Sequence, residues 1–209
     1  MIEILQFIAI LLITIFTHEL AHFTASLLCG VKVDVFSIGF GKAIWSKKIG
    51  HTTVKITPWL FGGLVKLRGE FKRVKDGFLI QNYFKKAFIL LAGVLSNFAI
   101  AFICYLINFG SIMKGLMCDL AIFRFLIDYN ITPLMQYLTV DINYFLLQLG
   151  FINLIAGLFN VLPLPALDGG FLWLLLLEKK YKPFDKFLEK ITRKGFIFLT
   201  FLQIGLAAY

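Results

Sequence analysis

Charge is scarce in this chain. Only 16% of its 209 residues are Asp, Glu, Lys or Arg, against 59% hydrophobic, and the mean hydropathy is +0.85. A soluble domain of this size needs no such apolar fraction for its core, so the composition excludes an ordinary soluble globular protein and points to a membrane. Cysteine is also sparse. Cys29, Cys104 and Cys118 lie far apart, odd in number and without a CxxC, which excludes a disulfide framework and a thiolate metal site; they read as small hydrophobes. Internal repeats and low-complexity tracts are missing, which excludes solenoids and linker-rich architectures. A basic stretch ahead of the first apolar run is missing too. Met1, Ile2 and Glu3 supply only an acid there, so that run is expected to be retained as a membrane segment and not removed as a secretory signal.

Acidic residues are outnumbered, 12 to 21, giving a net charge of +9. The placement of the basic residues decides what this means. Twelve fall between Gly30 and Lys86, Lys114 and Arg124 stand alone, and seven fall between Lys179 and Lys194. The apolar stretches between these groups carry none. Such alternation sorts loops to two sides of a bilayer, with the basic loops in the cytoplasm. It predicts contact with anionic lipid headgroups and no nucleic-acid role, for which interleaved aromatics or a binding motif would be needed.

What is present in quantity is long apolar sequence. Spans are expected at about 4–28, 87–109, 144–162 continuing past a break to 177, and 191–209, the last shorter in strictly apolar residues and helped by a snorkelling Lys194. The expected fold is therefore an α-helical polytopic membrane protein of about four transmembrane helices, forming one domain over 1–209, with both termini outside the cell's inner membrane. Between the first two spans, residues 31–68 contain VDVFSIGF, AIWS, TTVKIT and LVKL, β-branched and aromatic runs separated by glycines. These predict a cytoplasmic β-loop, with turns at Pro58 and at Gly62-Gly63. Residues 183–194 place Phe184, Phe187, Leu188 and Ile191 at helical spacing among charges, predicting an amphipathic helix on the membrane surface. The segment from Gly115 to Tyr129 is expected to be an interfacial or re-entrant helix.

The chemistry-bearing sequence is His18-Glu19-Leu20-Ala21-His22, an HExxH inside the first span. Residues four apart share a helix face, so both imidazoles can approach one zinc ion while Glu19 stands beside it as a general base. From Ile4 the helix rises about 21 Å to His18, within an apolar core of roughly 30 Å, which puts the site at membrane depth and nearer the cytoplasmic side. The plainer alternative is a pair of buried histidines in a packing seam, with Glu19 snorkelling outward. An ionisable Glu at that depth costs about 3 kcal/mol and favours a functional role. A catalytic zinc takes three protein ligands and keeps one position open, so a third ligand is needed. Asp168 is the candidate. It follows Pro163 and Pro165, which must break a helix, and precedes Gly169 and Gly170, which permit close backbone approach. The alternative for Asp168 is an ordinary helix N-cap. His51, a lone histidine beside Gly50, reads as a solvated loop residue.

These blocks together resemble the site-2 proteases, a family of intramembrane zinc metalloproteases, and in particular the bacterial branch that cleaves anti-sigma factors and signal-peptide remnants. The resemblance rests on HELAH, FSIGFGKAIW with the downstream GGLVKLRGE, AGVLSNF, and NVLPLPALDGG. It implies zinc, one ion per chain, held by His18, His22 and Asp168, with Glu19 as general base. It further implies that Asn160 holds the substrate backbone, that Gly62, Gly63 and Lys66 belong to a membrane-associated β-loop that meets substrate, and that Asn97 is the Asn of the second-span block. Implied substrates are single-span membrane proteins or signal-peptide remnants, cut by regulated intramembrane proteolysis. The chain departs from the family at Val94 and Ala21, and residues 110–143 are too few for the PDZ domains those bacterial relatives carry between the second and third spans. Two other functions are weighed: a catalytically silent substrate-binding scaffold, against which the intact HExxH speaks, and a metal or proton transporter, which would show two matching broken helices where this sequence has one.

Overall fold

A computed structural model describes residues 2–128, 144–178 and 183–207. The first apolar run is a single helix, α1 (Ile2–Leu28). Four strands follow, β1 (Val33–Phe40), β2 (Trp45–Ile49), β3 (Thr52–Ile56) and β4 (Trp59–Leu67). The remaining described elements are α2 (Tyr83–Phe109), α3 (Ile112–Asp128), α4 (Tyr144–Val161), α5 (Asp168–Leu176) and α6 (Phe184–Ala207).

Two of the described helices are long and apolar enough to cross a bilayer, Ile4–Leu28 within α1 and Tyr83–Phe109, which is α2. Only 17% of the most apolar window of α1 is buried. A core helix of a water-soluble protein would hide such a surface; α1 instead presents Ile4, Leu5, Phe7, Phe16, Leu27 and Leu28 outward. The apolar part of α4, Phe145–Val161, is shorter. Polar contacts tie α4 to α1. Asn153 Nδ2 donates to Thr14 Oγ1 at 2.9 Å, and Gln6 Nε2 to Gln148 Oε1 at 3.0 Å. Between apolar helices such bonds fix relative height, because an unpaired amide there would be costly.

The predicted β-loop is a four-stranded sheet of order β2-β3-β1-β4. The β2–β3 and β1–β4 pairs are antiparallel and β1–β3 is parallel, so the β2–β3 hairpin docks on one side of β1 and β4 returns on the other. Pro58 sits between β3 and β4, where a residue without an N–H cannot continue a ladder. Gly62 and Gly63, expected in a turn, lie inside β4, with Gly63 opposite Ile38 of β1. Their lack of a side chain serves contact and not chain reversal. A Cβ on Gly62 would lie 2.5 Å from the Phe40 ring, and one on Gly63 would collide with Glu19.

The break after α4 falls at residues 162–167, as the two prolines require. Gly169 and Gly170 then let α5 fold against the broken end, since a Cβ on either would lie 2.1 Å or less from the carbonyl oxygens of Val161 and Leu164. The last helix differs from expectation. The surface helix at 183–194 and the span from 191 are one uninterrupted α6, and Phe184 and Leu188 on its apolar face are buried in the protein's own core. Residues 129–143 of the linker and 208–209, the end of the expected fourth span, lie outside the described residues.

Two apolar clusters bracket the first helix. The larger joins Ala25 of α1 and Cys29 just past its end to Val33, Leu67, Phe78, Ile89, Phe171, Leu175 and Leu188, and so gathers α1, the sheet, α2, α5 and α6 at one end. A smaller one joins Ile10 to Cys104 and Leu149. His18 and His22 lie between them. All three cysteines are buried and free, in keeping with their reading as hydrophobes, and His51 is exposed in the β2–β3 turn.

Candidate metal centre

The HExxH spacing does locally what helix geometry dictates. His18 and His22 are one turn apart on α1, their rings edge to face with centroids 4.7 Å apart, and their Nε2 atoms are 3.1 Å from each other. The break and the tight α4–α5 junction deliver Asp168 from the far end of the chain. Its Oδ2 lies 3.2 Å from His18 Nε2 and 3.2 Å from His22 Nε2. The N-cap of α5 is Leu167, not Asp168, so the carboxylate is not spent on capping.

These three atoms form a nearly equilateral triangle. Ligand atoms about 2.0–2.1 Å from a tetrahedral zinc would be separated by roughly 3.3 Å, so the triangle fits zinc without rearrangement. The donor chemistry fits as well. His22 Nδ1 donates to the backbone carbonyl of Ile89 at 2.7 Å, which fixes the tautomer and leaves the Nε2 lone pair directed at the centre. A carboxylate oxygen and imidazole lone pairs converging on one point are acceptors that call for a cation. Among the described residues His18, His22 and Asp168 are the one group of three or more His, Cys, Asp or Glu side chains so arranged.

Glu19 adjoins this triangle and is 8% exposed. Strand β4 covers it. A Cβ on Gly63 would lie 2.4 Å from Glu19 Cγ and 2.8 Å from Oε1, and the Val65 N–H faces its carboxylate. The predicted base and the predicted β-loop glycine are therefore in contact, although 44 positions separate them in the sequence. Lys66 is exposed on the same strand. Just beyond the strand, burial pushes the Glu70 carboxyl up to about 7, against the opposing pull of the Leu67 backbone and of Lys66.

The remaining predicted residues are less directly engaged. Asn160, in the last turn of α4, donates its Nδ2 to the carbonyl of Ala156 within its own helix at 3.1 Å. Asn97 is 1% exposed on α2, and both its amide atoms lack a hydrogen-bond partner among the described residues. It stands one helical turn beyond Gly93, a residue sequence reasoning passed over. A Cβ on Gly93 would lie 2.3 Å from His22 Nε2 and 2.8 Å from His18 Nε2. The AGVLSNF block contains that glycine, but nothing in its spacing tells which residue must leave room for the imidazoles.

The sequence matches known proteins. The model of "Peptidase family M50" matches residues 6–202. "Putative zinc metalloprotease Cj1068" of Campylobacter jejuni is 40% identical over 113 residues, which are 51% of this chain and 31% of that protein. A protein of Helicobacter pylori, also named a zinc metalloprotease with the same qualifier, is 39% identical over 100 residues, 44% of this chain and 29% of its own length. "Regulator of sigma E protease" of Haemophilus influenzae is 35% identical over 108 residues, covering 48% and 24% respectively. These matches span about a third or less of the relatives' lengths. With a family match running from the first helix to the last and the HExxH and Asp168 brought together on one point, the chain belongs to peptidase family M50.

Proposed function

We propose that this chain is a zinc metalloendopeptidase that hydrolyses peptide bonds at membrane depth. One observation carries the reading. Three ligand atoms converge at 3.1–3.2 Å beside the buried carboxylate of Glu19, on a helix long and apolar enough to cross a bilayer. His18, His22 and Asp168 hold the metal. Zinc in such a site supplies Lewis-acid polarisation of a carbonyl and brings a water's pKa down to about 7. The residues of the chain do the rest. Glu19 takes the proton from the attacking water and returns it to the leaving amine, and the low polarity of the site strengthens that exchange.

The substrates we infer are single-span membrane proteins or signal-peptide remnants, cut by regulated intramembrane proteolysis. A substrate helix buries its carbonyls in its own hydrogen bonds and must unwind before attack. Strand β4 favours the extended form. It lies at an edge of the sheet, its outer side unpaired by any described strand, and it runs across Glu19 through Gly63. An unwound segment adding to that edge gains main-chain hydrogen bonds beside the base. Asn160 would hold the substrate backbone, Asn97 would contribute to substrate binding, and Lys66 would line the approach along the strand. Ile44, Trp45 and Ile49, exposed at the β2–β3 hairpin together with Lys47 and Lys48, and Trp59, exposed at the start of β4, suit a sheet resting among lipid headgroups. The topology we favour has four spans in the inner membrane, both termini outside, and the site near the cytoplasmic face.

The test is cleavage by protein purified in detergent of a panel of single-span substrates, with and without a zinc chelator. Chelator-sensitive cleavage within the apolar segment is expected. Cleavage that persists after complete zinc removal would overturn the reading.

A further inference from the structure

At the end of the molecule where the sheet, α2 and α5 meet, two lysines in succession open α2, and each reaches a different helix. Lys85 Nζ donates to the carbonyl of Cys29, one residue past the end of α1, at 3.3 Å. Lys86 Nζ pairs with Glu178 Oε2, two residues past the end of α5, at 2.7 Å. The other oxygen of Glu178 takes Arg73 from the loop after β4. Lys86 is 2% exposed, so its ammonium is held out of water and Glu178 is the one carboxylate paired with it among the described residues.

The position of this pair is what gives it consequence. Helix α5 has only nine residues, with Asp168 at its first position. Its beginning is packed against the broken end of α4, where Ala166 adopts a left-handed conformation with φ of 80°. Its end is secured by Glu178. One turn along α2 from Lys85 and Lys86, the carbonyl of Ile89 receives His22 Nδ1, and one turn further Gly93 makes room for both imidazoles. A single stretch of α2 from Lys85 to Gly93 therefore touches every element that carries a metal-ligating side chain. A short helix slides or rotates more readily than a long one, and an angström of travel at α5 would open the 3.2 Å distances from Asp168 to the histidines.

We infer that the buried Lys86–Glu178 ion pair is a positioning clamp that sets the height of α5, and with it Asp168, against His18 and His22. This rests on the metal-site reading above. Neither residue touches metal or substrate. The pair acts through the helix it anchors, as groups outside a metal's own ligands commonly do when they hold those ligands in place.

The measurement is zinc retention by the purified full chain against a graded chelator, with the thermal midpoint taken on the same samples. Glu178→Gln is expected to release zinc at about ten-fold lower chelator concentration. Lys86→Arg, which keeps charge and reach, is expected to stay within about three-fold of the parent protein. Leu188→Ala, at a fully buried position of the larger apolar cluster, supplies a loss of stability without touching the clamp. It should lower the midpoint while leaving zinc retention near that of the parent. Should Glu178→Gln not accumulate, Lys86→Met with Glu178→Met leaves no unpaired buried charge and is expected to show the same early release. Parent-like retention in Glu178→Gln or in the double variant would overturn the clamp. So would a Leu188→Ala protein that loses zinc as readily at an equal midpoint. A parent protein that binds no zinc would instead remove the metal reading, and the clamp with it, so the two failures are distinct.

Discussion

Gly93 of α2 lies against His22 of α1 so closely that a Cβ on the glycine would sit 2.3 Å from His22 Nε2. Glycine to alanine in a helix interior ordinarily stabilises by about 0.5–1 kcal/mol. Here the sign should reverse, because the added methyl meets the imidazole nitrogens that converge on the candidate metal centre and not the end of a flexible chain. Gly93→Ala is expected to retain its helical circular dichroism while losing most of its zinc by metal analysis. A variant that keeps its full zinc would show that the two helices can part without disturbing the site.

The convergence of Asp168 on both histidines leads to a second expectation. Purified protein should carry about one zinc per chain, and His18→Ala and Asp168→Ala should each weaken zinc binding by more than about ten-fold. Full zinc in Asp168→Ala at limiting metal would rule out Asp168 as a ligand, whatever its distance to the imidazoles.

Much of this arrangement is legible in the sequence, and the parts that are not have physical reasons. Strands β1 and β3 are readable because β-branched and aromatic residues mark them, whereas AIWS reaches only the first two residues of β2 and LVKL only the last four of β4. The break before Asp168 is readable because two prolines cannot sit inside a helix. The turn expected at Gly62-Gly63 fails because a glycine needed for a left-handed backbone and one needed for close approach look alike in a single sequence. The division of α6 into a surface helix and a span fails for another reason. Lys190, Arg193 and Lys194 interrupt hydropathy, yet Lys and Arg are good helix formers and do not interrupt the helix. Gly93, the Ile89 carbonyl and the Lys86–Glu178 pair become visible only once α2 is laid between α1 and α5.

The distribution of basic residues predicts topology. Cysteine labelling or reporter fusions should place Lys72 and Lys186 on the cytoplasmic side and Lys114 on the opposite side. Lys72 and Lys114 flank α2, whose 27 residues reach about 40 Å and so suffice to cross. Finding these two lysines on the same side would break the four-span arrangement.

Glu70 gives a pH dependence with a definite sign. Its carboxyl is raised from 4.5 to about 7 by burial, so the folded protein binds more protons than the unfolded chain between those values. Stability from this group is therefore highest below about pH 4.5 and falls as pH rises toward 7. Glu70→Gln should be more stable than the parent at pH 8, by about 1–2 kcal/mol given the partial solvation of the half-buried side chain, and nearly equal to it at pH 4.5. Thermal midpoints at the two pH values check this, and a Gln variant less stable at pH 8 would mean that the ionised carboxylate has a favourable partner.

Glu19 decides between cutting and merely holding. Glu19→Gln preserves the side chain's size and its place under Gly63 but cannot accept a proton, so cleavage should fall by at least about 100-fold. The zinc should remain, because the three converging atoms belong to His18, His22 and Asp168. Substrate should remain too, since the outer edge of β4 is unchanged. The expected result is an inactive, zinc-loaded protein that co-purifies with uncut single-span substrate. Wild-type cleavage by Glu19→Gln would eliminate Glu19 as the base. If the parent protein holds such substrates and its zinc but never cuts them, the same geometry would describe a scaffold, and the contact between Gly63 and Glu19 would be a docking feature instead of a catalytic one.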